Sequence, residues 1–400
     1  MQSILKGVRI LDFGRYIAGP YCGSLLAELG AEVVRIERVQ GGDDRYLMPA
    51  TQHGEGAQYL QCNRGKRCLA LEMTSPKGRE VVRRLVAGAD IVIANFSPGA
   101  QKHFGLDYET LSAIKNDIIV VSATAYGSEG ALTERIGFDG VGQAVSGAIW
   151  LTGVPGQPYR SATAFVDFGT ALSCAYGTLA ALMQKAQTGR GAHVEASLVG
   201  TSMMITTQIL IEQATGMNKR VPQGNRSPIA GPSDIFAASD GWFIMQVIGN
   251  GMFERWTTLV GRQDLAKDPR YASDILRGRN GEELSAIMAD WAKTRTRQEC
   301  MDRLVAANIG CGPVLSPAEV IDGELGLVDT FMDTVPFPGS RGIPIARSPV
   351  KISSEHIADL ARPPLLGEHS KEVLIEFGFQ NEEIASLLRD GVVLQQAELP

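Results

Sequence analysis

Apolar and polar positions alternate along the first half of the chain in two rhythms. Short apolar runs predict strands at Val8–Phe13, Glu32–Ile36, Asp90–Ala94 and Ile118–Ala123. Between them, helix-like spacing predicts helices at Tyr21–Leu29, Lys77–Val86 and Tyr108–Lys115, the first opened by Pro20. Strands alternating with helices imply an α/β fold with a parallel sheet covered on both faces. Ligands of such sheets gather at the carboxyl ends of the strands. A longer run rich in small residues, Ser161–Leu182, predicts a helix over Phe168–Gln187 that stops at Gly189.

After Leu210 the pattern changes. Gly216–Pro232 is rich in Gly, Pro, Asn and Arg and reads as a linker. Strands at Asp234–Ala237 and Trp242–Val247 follow, joined at Asp240-Gly241, and then helices at Phe253–Leu259, Gly281–Ala292 and Thr296–Ala307. A Pro-rich stretch from Ile321 leads to helical segments at Ser370–Phe377 and Asn381–Arg389. The expected organisation is a large domain over 1–197, a linker over 198–231 and a small α+β domain over 232–320. A return linker over 321–366 and a C-terminal part, 367–400, then complete the large domain, so that the small domain is inserted.

Composition narrows the function classes. With 400 residues, 44% hydrophobic and 20% charged, the chain reads as a soluble globular protein of two domains. A net charge of −6 argues against nucleic acid or an anionic membrane as the main partner. The six cysteines contain no CxxC pair and the five histidines are dispersed, so no metal site is expected. Reduced thiols and an N-terminus without a signal-peptide layout point to the cytoplasm. Ser161–Met183 approaches membrane-span length, but Asp167 interrupts it, and a buried helix is the expectation.

Asp167 is the leading candidate for chemistry. A carboxylate in apolar surroundings is costly unless hydrogen-bonded or put to use, and a partly desolvated one can attack an acyl group. The alternative is an N-cap for the helix that follows. Basic residues cluster at the early loops: Arg15, Arg35, Arg38, Asn63-Arg64-Gly65-Lys66-Arg67, Lys102 and His103. Singly these read as solvated charge; together they suit a ligand with several phosphates. Asn95-Phe96-Ser97-Pro98-Gly99 follows a strand and can lay an aromatic ring against adenine. The loop Gly14-Arg15-Tyr16-Ile17-Ala18-Gly19-Pro20 does not fit GxGxxG, which disfavours a nicotinamide cofactor. Gly249-Asn250-Gly251 is either a plain turn or a mobile loop that lends N–H groups to an oxyanion.

Six segments in order resemble the class III CoA transferases, the formyl-CoA transferase family, over nearly the whole chain. They are LKGVRILDF…AGPYCGSLLAELGAEVVRIER, NRGKRCLALEM, ADIVIANFSPGA, GFDGVGQAVSGA, VDFGTAL…TGRGAHVEASL and LLGEHSKEVLIEFGF. The resemblance implies a Rossmann-like large domain, an interlocked ring homodimer and a nucleophilic aspartate at Asp167. A heteromeric partner is the alternative assembly. It implies CoA thioesters as substrates, no permanently bound cofactor, and transfer through an aspartyl anhydride and an aspartyl-CoA thioester. Succinyl-CoA or another dicarboxylyl-CoA is the expected donor.

The family's CoA contacts fall on Ile17, Ala18, Arg38, Asn63, Lys66, Arg67, Asn95, Phe96 and Pro98. A family arginine beyond them is replaced by His103, with Lys102 beside it. Gly249 and Gly251 match the shorter version of the family's glycine loop, which argues against oxalate and formate. Gln143 is a candidate polar contact, and Arg135, Arg220 or Arg226 could clamp a second carboxylate. Related racemases carry a histidine where this chain has Phe138, and a glutamate where it has Gly249, so the transferase reading leads.

Overall fold

The computed structural model describes residues 3–216, 219–323, 325–352 and 361–396. Its largest sheet has seven strands: β1 (Arg9–Asp12), β2 (Glu32–Glu37), β3 (Arg67–Leu71), β4 (Ile91–Ala94), β5 (Ile119–Thr124), β6 (Ala192–Ser197) and β7 (Val393–Leu394). Their order is β7-β3-β2-β1-β4-β5-β6. All neighbours run parallel except β7, which lies antiparallel on β3. The chain therefore reverses its direction of winding between β1 and β4, and a crevice opens beyond their carboxyl ends.

Successive residues of the strands feed opposite cores. Leu11, Val34, Ile36, Val92 and Val120 face one side, under the helices Pro76–Ala87, Tyr108–Ile114, Ser370–Glu376 and Asn381–Arg389. Ile10, Val33, Ile91, Ile93 and Val121 face the other, under Ala18–Glu28 and Phe165–Thr188. The latter helix has the length and apolarity of a membrane span. Its Val166, Ala171, Cys174 and Ala175 are nonetheless buried in the second core, and it packs on Ala18–Glu28 and on β5 and β6.

The chain forms two compact units. One comprises Met1–Ser146, Ala162–Thr206 and Val328–Pro400; the other comprises Gly147–Ser161 and Thr207–Leu327. The second unit holds an antiparallel sheet in the order Gly310–Pro313, Gly241–Gln246, Ser233–Ala238. Helices Asn250–Leu259, Gly281–Ala292 and Arg297–Ala306 pack on it around Phe243, Trp256, Met288 and Leu304. Thr296 and Glu299 close the start of Arg297–Ala306 in a reciprocal capping box. Residues 198–215, expected to begin a linker, are the helix Leu198–Thr215, and the boundary between the units falls inside it.

Candidate active site

Beyond β1 the chain enters a loop held by side chains rather than by glycines. Asp12 Oδ1 accepts the Gly14 N–H at 2.8 Å, and Arg35 donates to the Gly14 carbonyl at 3.1 Å. Asp44 Oδ2 accepts the Tyr16 N–H at 3.1 Å and Arg35 Nη2 at 2.8 Å. Asn95, just past β4, grips the Arg15 peptide from both sides: its Oδ1 accepts the N–H and its Nδ2 donates to the carbonyl, each at 2.7 Å. Tyr16 is thereby held at φ 62°, a left-handed conformation uncommon for a non-glycine residue. Beneath lies an ion-pair network of Arg35, Glu37 and Arg45. Burial favours the neutral Glu37 carboxyl, but the two guanidinium groups outweigh it and hold that carboxyl at about 2.

Two cavities flank this loop. One, of about 340 Å³, is lined by Phe13, Arg15, Arg38, Met73, Phe96 and Phe104 among others. The second, of about 390 Å³, is lined by Arg15, Tyr16, Phe96, Arg135, Phe138 and Asp167 among others, with Ile17 and Ala18 in its wall. Arg15 and Phe96 border both, the guanidinium 5.7 Å from the ring centroid. A cavity whose Arg15, Arg35 and Arg38 are matched by Glu37, Asp44 and Glu72 therefore adjoins one that contains the Asp167 carboxylate. This arrangement suits a long ligand with phosphates at one end and a reactive group at the other.

Asp167 is not the N-cap of its helix. The helix begins at Phe165, so Asp167 sits inside its first turn, and the flanking Ala164 offers no side-chain cap. The cap comes from Asp139, at the start of the helix Asp139–Val145, whose Oδ1 accepts the N–H groups of Val166 at 2.8 Å and Asp167 at 3.2 Å. Asp167 is half-buried, and no described residue donates a hydrogen bond to its carboxylate. Burial, and then the charge of Asp139, push its carboxyl up to about 7.

The remaining candidates divide. Arg38 lines the first cavity, its guanidinium also paired with Asp43 and the Gly41 carbonyl. Asn63 and Lys66 are buried below the loop: Lys66 Nζ donates to Asp12, Asn63 and the Pro20 carbonyl, and Asn63 also receives Arg35. Arg67 points to Glu372 and Glu376 on a C-terminal helix. Pro98 opens the helix Pro98–Phe104, on which Lys102 and His103 are exposed and the neighbouring Phe104 lines the first cavity. Gln143 is buried and donates to Asp139 Oδ2 at 2.5 Å.

In the other unit, Gly249 at φ +82° precedes the helix Asn250–Leu259, and its N–H is taken by the Asp274 carboxylate at 3.0 Å. The Gly251 carbonyl accepts from Arg255 at 2.9 Å. Met73, Phe104 and the capping role of Asp139 were missed from the sequence. Only the last carried a signal, a carboxylate in the glycine-flanked segment Gly137-Phe138-Asp139-Gly140.

Over residues 5–370 the chain matches the model of CoA-transferase family III. It is 32% identical over 387 residues to succinyl-CoA:mesaconate CoA-transferase of Haloarcula hispanica, covering 94% of this chain and 97% of that one. It is 29% identical over 394 residues to succinyl-CoA:glutarate CoA-transferase of Mus musculus, covering 98% and 90%. A crystal structure of a CAIB/BAIF family protein from Brucella suis matches with a TM-score of 0.82 at 33% identity, over 94% of this chain and 100% of that one. The chain belongs to CoA-transferase family III. It is an acyl-CoA:carboxylate CoA transferase, and CoA thioesters are its substrates.

Proposed function

We propose that the enzyme moves CoA from succinyl-CoA, or another dicarboxylyl-CoA, to a dicarboxylic acid, with Asp167 as the nucleophile. The observation that carries this reading is the half-buried Asp167 carboxylate, free of donors among the described residues, in a cavity that adjoins the aromatic one around Arg38 and Phe96. Relatives named for succinyl-CoA and a dicarboxylic acid support this choice of donor and acceptor.

Asp167 attacks the thioester carbonyl carbon; the C–S bond breaks and CoA thiolate leaves a mixed anhydride. The thiolate returns to the aspartyl carbonyl and expels the donor acid, giving an aspartyl-CoA thioester. The acceptor carboxylate then attacks that thioester, forming a second anhydride and freeing the thiolate again. Attack of the thiolate on the acceptor's acyl carbon yields the new acyl-CoA and restores Asp167. No proton is gained or lost, so the cavity needs only to exclude water.

In this reading Arg38, Phe96, Ile17 and Ala18 contact CoA, and Arg15 stands at the neck between the cavities. Asn95, Asn63 and Lys66 act by fixing the loop, and Pro98, Lys102 and His103 form the rim near the phosphates. Arg67 is braced by Glu372 and Glu376 and supports the sheet edge. Arg135 meets the acceptor's second carboxylate, while Gly249 and Gly251 form the enzyme's glycine loop, on an inserted small domain.

The working unit is a homodimer in the cytoplasm, with a non-identical second chain as the alternative. Exposed Leu172, Tyr176 and Met183 on the helix Phe165–Thr188, and Met203 and Met204 on the next, support a protein partner. Buried, unpaired cysteines support a reducing compartment.

The test is a chromatographic screen of acyl-CoA products from succinyl-CoA and a panel of acids. A new dicarboxylyl-CoA, absent with Asp167→Ala, is expected. Solvent deuterium entering the acyl group without transfer would replace this reading with α-proton chemistry.

A further inference from the structure

The first turn of the helix Phe165–Thr188 is capped from outside. Asp139 Oδ1 takes the Val166 and Asp167 N–H groups, and its Oδ2 receives Gln143 Nε2 at 2.5 Å from one turn further along the helix Asp139–Val145. Gln143 is itself almost wholly buried, so the brace is rigid.

An aspartate in a helix's first turn has a ready use for its own carboxylate. The free N–H groups and the helix dipole at that end attract negative charge and lower its basicity. A nucleophile satisfied in this way would be dull. Here another carboxylate has already taken the donors, and Asp167 is left to line the cavity.

Resting on the reading of Asp167 as the nucleophile, we propose that Asp139, braced by Gln143, is a positioning residue that occupies the helix-end N–H groups and keeps the Asp167 carboxylate free for attack. Its negative charge has a second effect, adding to burial in holding the Asp167 carboxyl at about 7. The other charged or titratable groups lining the cavity are Arg15, Arg135 and Tyr16.

Two substitutions separate the parts. Asp139→Asn keeps the shape and one acceptor oxygen for the helix end but removes the charge; Asp139→Ala removes both. The readouts are steady-state kinetics with succinyl-CoA across pH and an NMR titration of isotope-labelled Asp167, which needs no turnover. With Asp139→Asn, the Asp167 midpoint moves acidward from about 7 in both the titration and the rate profile. With Asp139→Ala, kcat falls roughly 100-fold while KM for the donor stays within about twofold. Near-parental kcat in a folded Asp139→Ala enzyme overturns the proposal; if that variant does not fold, Gln143→Met, which removes the brace on Asp139 Oδ2, is read in the same way, and an unmoved midpoint in Asp139→Asn strikes out the charge effect alone. Full transfer by Asp167→Asn would instead remove the nucleophile reading, and the NMR midpoint of the parent against Asp139→Asn would still report on Asp139.

Discussion

Lys66 Nζ lies 2.6 Å from Asp12 Oδ2, and neither side chain reaches solvent. The pair ties the end of β1 to the segment before β3, with Asn63 and the Pro20 carbonyl filling the other donor positions of the ammonium. Burial favours the neutral amine and lowers the Lys66 pKa, while Asp12 opposes this. Removing one member leaves a buried, uncompensated charge. Lys66→Met is expected to cost about 3–5 kcal/mol in denaturant unfolding. If Lys66 instead met a CoA phosphate, the same change would raise KM for the donor and leave stability nearly intact.

Asp167 makes the opposite contribution to stability. Its carboxyl, ordinarily near 3.8, is held at about 7 by burial and by Asp139. Between those values the folded state binds a proton that the unfolded chain has lost, so stability falls as pH rises; above about 7 the penalty is constant. Asp167→Asn is free of it. Allowing for partial exposure, this variant should be more stable than the parent by about 1–3 kcal/mol above neutrality, and equal to it in acid. Thermal melting at several pH values checks this, and the transfer rate of the parent should fall as pH drops through about 7.

Phe96 and Arg38 line the first cavity, and Phe96 also borders the one that holds Asp167. Phe96→Ala and Arg38→Gln are therefore expected to raise KM for every acyl-CoA by about tenfold, with kcat little changed. A drop in kcat without a rise in KM would move the CoA away from this cavity.

Arg135 lines the Asp167 cavity and has no side-chain partner among the described residues. Arg220, by contrast, is engaged by both oxygens of Glu212. Arg135→Gln should raise KM for dicarboxylic acceptors about tenfold or more and leave monocarboxylic acids unaffected, because it removes a charge-assisted pair. Arg220→Gln should change neither. A rise in donor KM alone would assign Arg135 to the CoA instead.

Much of the fold was legible because buried strands are written as apolar runs. Ile91–Ala94 and Ile119–Thr124 are wholly buried and were found within a residue of their ends. The edge strand Ala192–Ser197 was missed, since its alternating half-exposed residues carry no such run. Arg67–Leu71 was missed because its basic approach, Asn63–Arg67, reads as a surface loop.

The charge pattern says less about the site. That Lys66 is buried against Asp12 is a matter of packing, which the basic run Asn63–Arg67 does not encode. Asp167 stood out as a lone charge in an apolar helix. Its cap, Asp139, lies 28 residues earlier, and no local rule links the two.

The most direct test of the account is to trap the covalent enzyme. The parent and Asp167→Ala are mixed with succinyl-CoA and hydroxylamine, and their peptides are mapped by mass spectrometry. The account predicts a hydroxamate on Asp167 in the parent, formed only with the thioester, and none in the variant. Transfer of CoA with no modified Asp167, or a hydroxamate on another residue, would contradict it.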